Sequence, residues 1–371
     1  MKITFIVPEL NLSGGLRVVS IYAHNLTDRG HEVVIVSPQK VRQTIKQKIK
    51  SLLSWVCGKR DITKDLTYFE NVNFGVCQVA GSGPITAADI PDADVVIATW
   101  WETAEWVNNL PLSKGHKVYF IQHHETHDWL PIERVERTYQ MPLHKITIAR
   151  WLVELLEKKY NAADVSLVPN SVELNKFFAE KRGKQNRPTI GFLFSEVSFK
   201  GVGVALDVIE KVRMQFHELR VIGFGSHKPE KIILPDYVEL HVRPEQNEIS
   251  KLYAQCDVWL CCSLSEGFGL TVLEAMACRT PVVSTKCGGP EDIITDGKNG
   301  YLCDVNDIDA LTRAVLKLFD FNEVDWLKFS NAAYKHAHRY TWDDAATLFE
   351  SDLINAVTSE KRNLAQEQVN S

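Results

Sequence analysis

The chain has 371 residues, more than one hydrophobic core usually serves, so two domains are expected. Its 45% hydrophobic and 24% charged content is ordinary for a globular protein, and a net charge of −5 with a pI near 6.2 gives no overall attraction to nucleic acid, which is excluded as an expected partner. Eight cysteines without CxxC spacing, no run of 18 apolar residues and a strand-like N-terminus exclude a disulfide scaffold, a spanning helix and a cleaved leader, and imply a cytoplasmic protein with free thiols.

From the N-terminus, ITFIVP (3–8) reads as a buried strand, followed by a glycine loop at Gly14 and Gly15, and EVVIVSP (32–38) as the next strand. Segment 40–60, KVRQTIKQKIKSLLSWVCGKR, carries seven Lys/Arg and no acid, with Val41, Ile45, Ile49, Leu52, Leu53 and Val56 on helical spacing. It reads either as a basic amphipathic helix suited to the surface of an anionic membrane, or as a helix whose apolar face packs on the first domain. DVVIATW (94–100) and KVYFIQH (117–123) are further strands. Asp92-Ala93-Asp94 has the DxD form of some metal sites, but it directly precedes a strand and reads as the end of a loop, so no metal is assigned to it. FIQHHETHDWLP gathers His123, His124 and His127. His124-Glu125-Thr126-His127 is one residue short of HExxH and lacks an apparent third ligand, which leaves zinc as an alternative only.

Polar, Gly/Pro-punctuated FFAEKRGKQNRP reads as a linker within the break from Asn170 to Pro188. Beyond it come TIGFLF (189–194), LRVIGFG (219–225), DVWLCCS (257–263) and PVVST (281–285), again with helical segments between. Apolar runs alternating with helices imply parallel sheets buried on both faces. The expected fold class is therefore α/β, with two Rossmann-like doubly wound domains facing a cleft at the carboxyl ends of their strands. The expected boundaries are 1–172 and 187–340, followed by a C-terminal helix over 341–358 crossing back to the first domain and a polar tail over 359–371.

The densest signal is DVWLCCSLSEGFGLTVLEAMACRTPVV (257–283): a strand, a turn at Glu266-Gly267-Phe268-Gly269, then a helix through Glu274. Glycines let backbone approach a ligand, and a helix start offers N–H groups to an anion. Glu274, in the second turn, leans back toward Glu266. Two carboxylates there suit vicinal hydroxyls, although a helix cap and a solvated helical residue would give the same letters.

Glu266 and Glu274, with seven residues between them in SEGFGLTVLEAMA, resemble the Glu-x7-Glu signature of the family 4 retaining glycosyltransferases of GT-B fold. Val168-Pro169-Asn170-Ser171-Val172, Phe199-Lys200-Gly201, Gly223-Phe224-Gly225, Gly288-Gly289-Pro290-Glu291, Asp296-Gly297-Lys298-Asn299-Gly300 and Gly14-Gly15 resemble its other short motifs, in order. The resemblance implies transfer of a hexose with retention, without a metal or other cofactor, from a nucleotide-sugar donor (a UDP-sugar is expected) to a hydroxyl of a saccharide or lipid-linked saccharide.

It implies that Glu274 binds the donor ribose, that Glu266 meets sugar hydroxyls near the reacting carbon, and that Gly267, Phe268, Gly269, Leu270 and Thr271, with Gly14 and Gly15, help hold the donor. Lys200 meets the diphosphate, and His123, or His124, contacts the transferred sugar; Glu266, His123 and Lys200 form the expected catalytic set. Trp100, Trp101 and Trp106 offer flat faces to acceptor rings, or else pack in a core. Where relatives place an Arg before the Lys, this chain has Ser195; Arg243, Lys286 and Arg17 are candidate replacements. That departure motivates the competing reading, a catalytically weak sugar-nucleotide-binding subunit.

Overall fold

The computed structural model describes residues 1–39, 68–69, 72–81, 83–163 and 165–370, with side chains described through 359. The basic segment 40–60 lies outside the described residues, so neither reading of it meets a structural observation. The chain divides into two compact units: Met1–Thr147, Val153–Val168 and Ala346–Ser371 form the first, and Ile148–Leu152 with Pro169–Ala345 the second.

In the first unit, β1 (Lys2–Ile6), β2 (Glu32–Gln39), β3 (Gly75–Ala80), β4 (Val95–Ala98), β5 (His116–Ile121), β6 (His144–Thr147) and β7 (Val165–Leu167) form one sheet in the order β3-β2-β1-β4-β5-β6-β7. Every pairing between these strands is parallel. Helices on both faces explain why the central strands read as unbroken Val/Ile runs: β4 is buried along its whole length. The helix Gly14–Asp28 begins where Ser13 accepts the Leu16 N–H at 3.5 Å, and it buries Leu16, Val19, Tyr22, Ala23 and Leu26 on helical spacing. From Ala346 onward the helix Trp342–Asn370 belongs to this unit. Phe349 stacks on Tyr22 at 4.4 Å, Glu350 pairs with Arg29 and His31 at 2.9 and 2.7 Å, and Asp352 bonds His144 at 2.6 Å.

In the second unit, β8 (Thr189–Leu193), β9 (Arg220–Gly225), β10 (Val238–Val242), β11 (Val258–Cys261), β12 (Val282–Thr285) and β13 (Gly300–Cys303) are ordered β10-β9-β8-β11-β12-β13, again all parallel. The core under this sheet gathers Ile190, Phe192, Val221, Val258 and Leu260 with Val208, Ile209 and Leu318 of the covering helices. Each of these buried apolar side chains contributes about 1.5–3 kcal/mol relative to exposure. In both sheets the chain's direction of travel reverses beside the first strand, at β1/β4 and at β8/β11. Such switch points leave a crevice at the carboxyl ends of the strands.

The supposed linker is part of the second unit. Phe177 and Ala179 are buried, Arg182 donates to the Cys256 carbonyl and Thr280 Oγ1 at 2.5 and 2.9 Å, and Lys184 donates to the Phe319 and Phe321 carbonyls at 2.6 and 2.8 Å. Its polarity is that of a strap whose charged side chains cap partly buried carbonyls.

Candidate functional site

The second unit's crevice is built from the ends of two adjacent strands. Beyond β8 the chain turns through Ser198–Lys200 and then through Gly201, where φ is 63° and a Cβ would run into the Cys262 carbonyl oxygen, so only glycine lets this loop lie against the end of β11. Leu264 N–H donates to the Phe199 carbonyl at 2.7 Å and ties the two loops together. Lys200 thereby reaches Glu266: its Nζ lies 2.7 Å from Oε1, and Ser263 Oγ donates to the same oxygen at 2.7 Å. Phe192, Leu193, Lys200, Cys261, Ser263, Glu266 and Thr271 are among the residues lining one indentation here. Burial of the Lys200 ammonium works against its charge, but the neighbouring Glu266 carboxylate outweighs that and holds its pKa above the ordinary lysine value.

The Glu266 loop is held from behind. Its N–H donates to the Cys287 carbonyl at 2.7 Å, and its carbonyl accepts from Gly289 N–H at 3.0 Å. Trp151 Nε1 donates to the Gly267 carbonyl at 2.9 Å, and its indole leaves no room for a side chain at Gly288, where a Cβ would lie 2.6 Å away. Gly269, at φ 89°, sets the start of the helix Leu270–Ala277, in which Glu274 is buried and accepts from Tyr253 OH at 2.9 Å. Glu274 and Glu266 are thus both buried carboxylates of this unit, but only Glu266 lines the indentation.

The candidate phosphate cations fare differently. Arg243 Nε donates to the Ser226 carbonyl at 2.8 Å, Lys286 pairs with Asp304 at 2.7 Å, and neither lines the indentation. Ser195 accepts from Val197 N–H at 3.3 Å, and its neighbour Glu196 gathers the N–H groups of Glu230, Lys231 and Ile232 at 2.8, 2.6 and 2.9 Å. Sequence reasoning missed Ser263, Trp151 and Tyr253. Ser263 alone had a local signal, sitting three residues before Glu266; the others come from distant segments.

In the first unit, Gly14 and Gly15 open the helix after β1, and the Gly15 carbonyl accepts from Gln122 Nε2 at 3.3 Å; Arg17 lies one turn further on. β5 ends at Ile121, so strand alternation does not govern the histidines. His123 Nδ1 donates to the His124 carbonyl at 2.9 Å, and its ring lies 5.2 Å from that of His127. His124 is tied to Tyr160 OH at 2.8 Å and Thr126 Oγ1 at 3.0 Å; burial, aided by the positive charge of Lys159, pushes its pKa down to about 4. Trp101 corrects an expectation: it is 4% exposed and sits in the core, with the Arg134 guanidinium 4.9 Å from its ring, so it offers no face to an acceptor. Trp100, half-buried, precedes the helix Trp101–Asn108. Asp92 pairs with Lys114 at 2.8 Å and Asp94 accepts Lys2 N–H at 2.8 Å, as loop residues. Among the described residues no group of three His, Cys, Asp or Glu side chains could hold a metal ion.

A lysine–carboxylate pair and a helix start at a switch point form a set able to meet phosphate oxygens and sugar hydroxyls together. Residues 175–336, which contain this set, match the Glycosyl transferases group 1 family. The match covers the second unit's crevice and leaves the first unit outside it.

Among curated relatives, N-acetyl-alpha-D-glucosaminyl L-malate synthase of Bacillus anthracis is 38% identical over 206 residues, covering 54% of this chain and 48% of that protein. D-inositol 3-phosphate glycosyltransferase of Streptomyces griseus is 31% identical over 151 residues, covering 39% and 32%. The chain thus spans less than half the length of these relatives. Among solved structures, sucrose-phosphate synthase from Thermosynechococcus elongatus superposes with a TM-score of 0.74 at 14% identity, covering 97% of this chain and 100% of that one. Anabaena HepE in complex with UDP-glucose superposes with a TM-score of 0.68 at 15% identity, covering 97% and 100%. With two parallel-sheet α/β units, the chain has the GT-B fold.

Proposed function

We propose that this chain is a group 1 glycosyltransferase that transfers a hexose, with retention, from a UDP-sugar to a hydroxyl of a saccharide or lipid-linked saccharide. The observation that carries the reading is the Lys200–Glu266–Ser263 cluster at the β8/β11 switch point inside the matched domain. In this reading Lys200 turns from Glu266 to the donor diphosphate, where charge grows as the sugar–phosphate bond breaks, and Glu266 is released to accept from a sugar hydroxyl. Glu274 takes the ribose hydroxyls. The leaving phosphate takes the acceptor proton.

UDP is favoured because HepE is recorded with UDP-glucose. No metal enters the reading, since Lys200 supplies the positive charge at the phosphates. The reading includes peripheral association with an anionic membrane, supported by the composition of 40–60 alone.

The test is thermal stabilisation by UDP-, GDP- and ADP-sugars, followed by donor hydrolysis or transfer in EDTA. A UDP-sugar should raise the melting temperature most, and turnover should survive chelation. Loss of turnover that Mn²⁺ restores would remove the metal-free mechanism. Binding without turnover under any condition would leave a sugar-nucleotide-binding subunit.

A further inference from the structure

The short loop that carries Lys200 is fastened at both ends. Its far end lies against β11, where Gly201 meets the Cys262 carbonyl and Leu264 N–H donates to the Phe199 carbonyl at 2.7 Å. Its near end is fastened by Glu196, four residues before Lys200. Glu196 Oε1 accepts three consecutive backbone N–H groups, those of Glu230, Lys231 and Ile232, at 2.8, 2.6 and 2.9 Å. They lie in the connection between β9 and β10, 34 to 36 residues further along the chain. Successive N–H groups converging on one point form a nest that favours an anion. They hold the Glu196 carboxyl below the usual carboxylate range, the Lys231 N–H most of all.

The nest is a fixed post. Ile232, Leu234 and Tyr237 pack against the core of the second unit. Tyr237 OH donates to Glu210 at 2.9 Å, and the Arg213 guanidinium lies 3.7 Å from the Tyr237 ring, so the connection is also tied to the helix Val202–Arg213. On the other side of the tie, Val197 is 41% exposed and adds little packing to the loop. Yet the Val197 carbonyl accepts the Lys200 N–H at 2.9 Å, so the backbone of Lys200 is set by the residue next to Glu196. Left unpaired, a carboxylate this close to Lys200 would repel a diphosphate; the nest takes up its charge.

We propose that Glu196 is a positioning residue: by seating in the 230–232 nest it holds the loop of residues 195–201 so that Lys200 reaches Glu266 and, in turn, the donor diphosphate. Only the last of these steps rests on the proposed function. The contact with Glu266 is present in the structure without a donor.

The experiment treats the full chain with limiting acetic anhydride and quantifies acetylation of each lysine by mass spectrometry after unfolding and digestion. In Glu196→Ala the loop loses its near tie and Lys200 spends time away from Glu266, so its amine should be acetylated about fivefold faster than in wild type. Lys328, whose side chain is 73% exposed, should keep its wild-type rate and so report that the variant is folded. Glu196→Gln retains an oxygen able to accept the same N–H groups, and should return Lys200 to within about twofold of the wild-type rate. An unchanged Lys200 rate in Glu196→Ala, an Ala-like rate in Glu196→Gln, or faster acetylation of every lysine together overturns the proposal. With a donor that turns over, Glu196→Ala should lower kcat more than it raises KM, and Glu196→Gln should restore kcat; the opposite split would remove the step to the diphosphate. Acetylation needs no donor, so failure to bind any UDP-sugar would count against the proposed function and leave the positioning of Lys200 by Glu196 standing.

Discussion

Lys200 and Glu266 share a single charged hydrogen bond of 2.7 Å, but the proposed reaction gives them different partners, so their removal should act on different steps. Lys200→Ala should raise the barrier to transfer by about 2–4 kcal/mol, the range for loss of a group facing developing charge, with little change in affinity for the free nucleoside. Wild-type turnover in this variant would mean that Lys200 does not face the diphosphate. Glu274→Ala should weaken UDP binding, and Glu266→Ala should mainly lower turnover; calorimetry and initial rates separate the two. Glu266 and Lys200, 66 residues apart, could each be singled out in the sequence because each stands beside a glycine in a short loop, and the structure brings them into contact. Tyr253 and Trp151 could not: they arrive from other elements to bond the Glu274 carboxylate and the Gly267 carbonyl, and no periodicity marks such a side chain.

At the scale of elements, continuous Val/Ile runs identified all eight of the expected strands, because a central parallel strand is buried on both faces. The strands that escaped are short or mixed in composition. β10 reads VELHV, and β6 contains Lys145, whose ammonium is buried and donates to the Met141 and Leu143 carbonyls. The strap over 177–188 was misread for a related reason: its charges look solvated in sequence, yet they terminate buried carbonyls. Arg182→Ala removes two donors from buried acceptors and a cation from the face of Trp326, and should destabilise the second unit by about 2–3 kcal/mol, measured by urea unfolding. A change within a few tenths would show the strap to be passive. Trp151→Phe keeps the ring against Gly288 but removes the bond to Gly267; a cost of about 1 kcal/mol in stability should accompany a raised KM for the donor, whereas an unchanged KM would confine Trp151 to packing.

For the whole molecule, sequence and structure meet unevenly, since 40–60 carries the strongest basic signal and lies outside the described residues. No helix among the described residues is long and apolar enough to cross a membrane. Liposome flotation therefore tests the peripheral association: wild-type protein should float with anionic vesicles, and changing Lys46, Lys48 and Lys50 to Glu should abolish it. Flotation that survives the change, or is absent from wild type, would leave this segment a packing role.

Stability across pH follows from groups of opposite sign in each unit. His124 and His336 are both pushed down to about 4 by burial; the stability tied to their neutral forms is complete above the ordinary histidine value and is lost as pH falls toward 4. Glu125 in the first unit and Asp257 in the second are shifted upward by burial, Asp257 to about 6, so their contribution is complete below the ordinary carboxylate value and is lost as pH rises through their folded values. The two trends oppose one another between about pH 4 and 6.5 and flatten the profile of the wild-type protein. Glu125→Gln should expose the difference. Glu125 is 2% exposed and accepts the Trp101 N–H at 2.9 Å, an acceptor role that an amide oxygen can keep while removing the titration. The variant's melting temperature, relative to wild type, should therefore rise between pH 5 and pH 8, because only the wild type must ionise or retain a buried proton there. An equal difference at both pH values would show that Glu125 titrates as an ordinary carboxylate, and the buried neutral acid behind the helix Trp101–Asn108 would have to be abandoned.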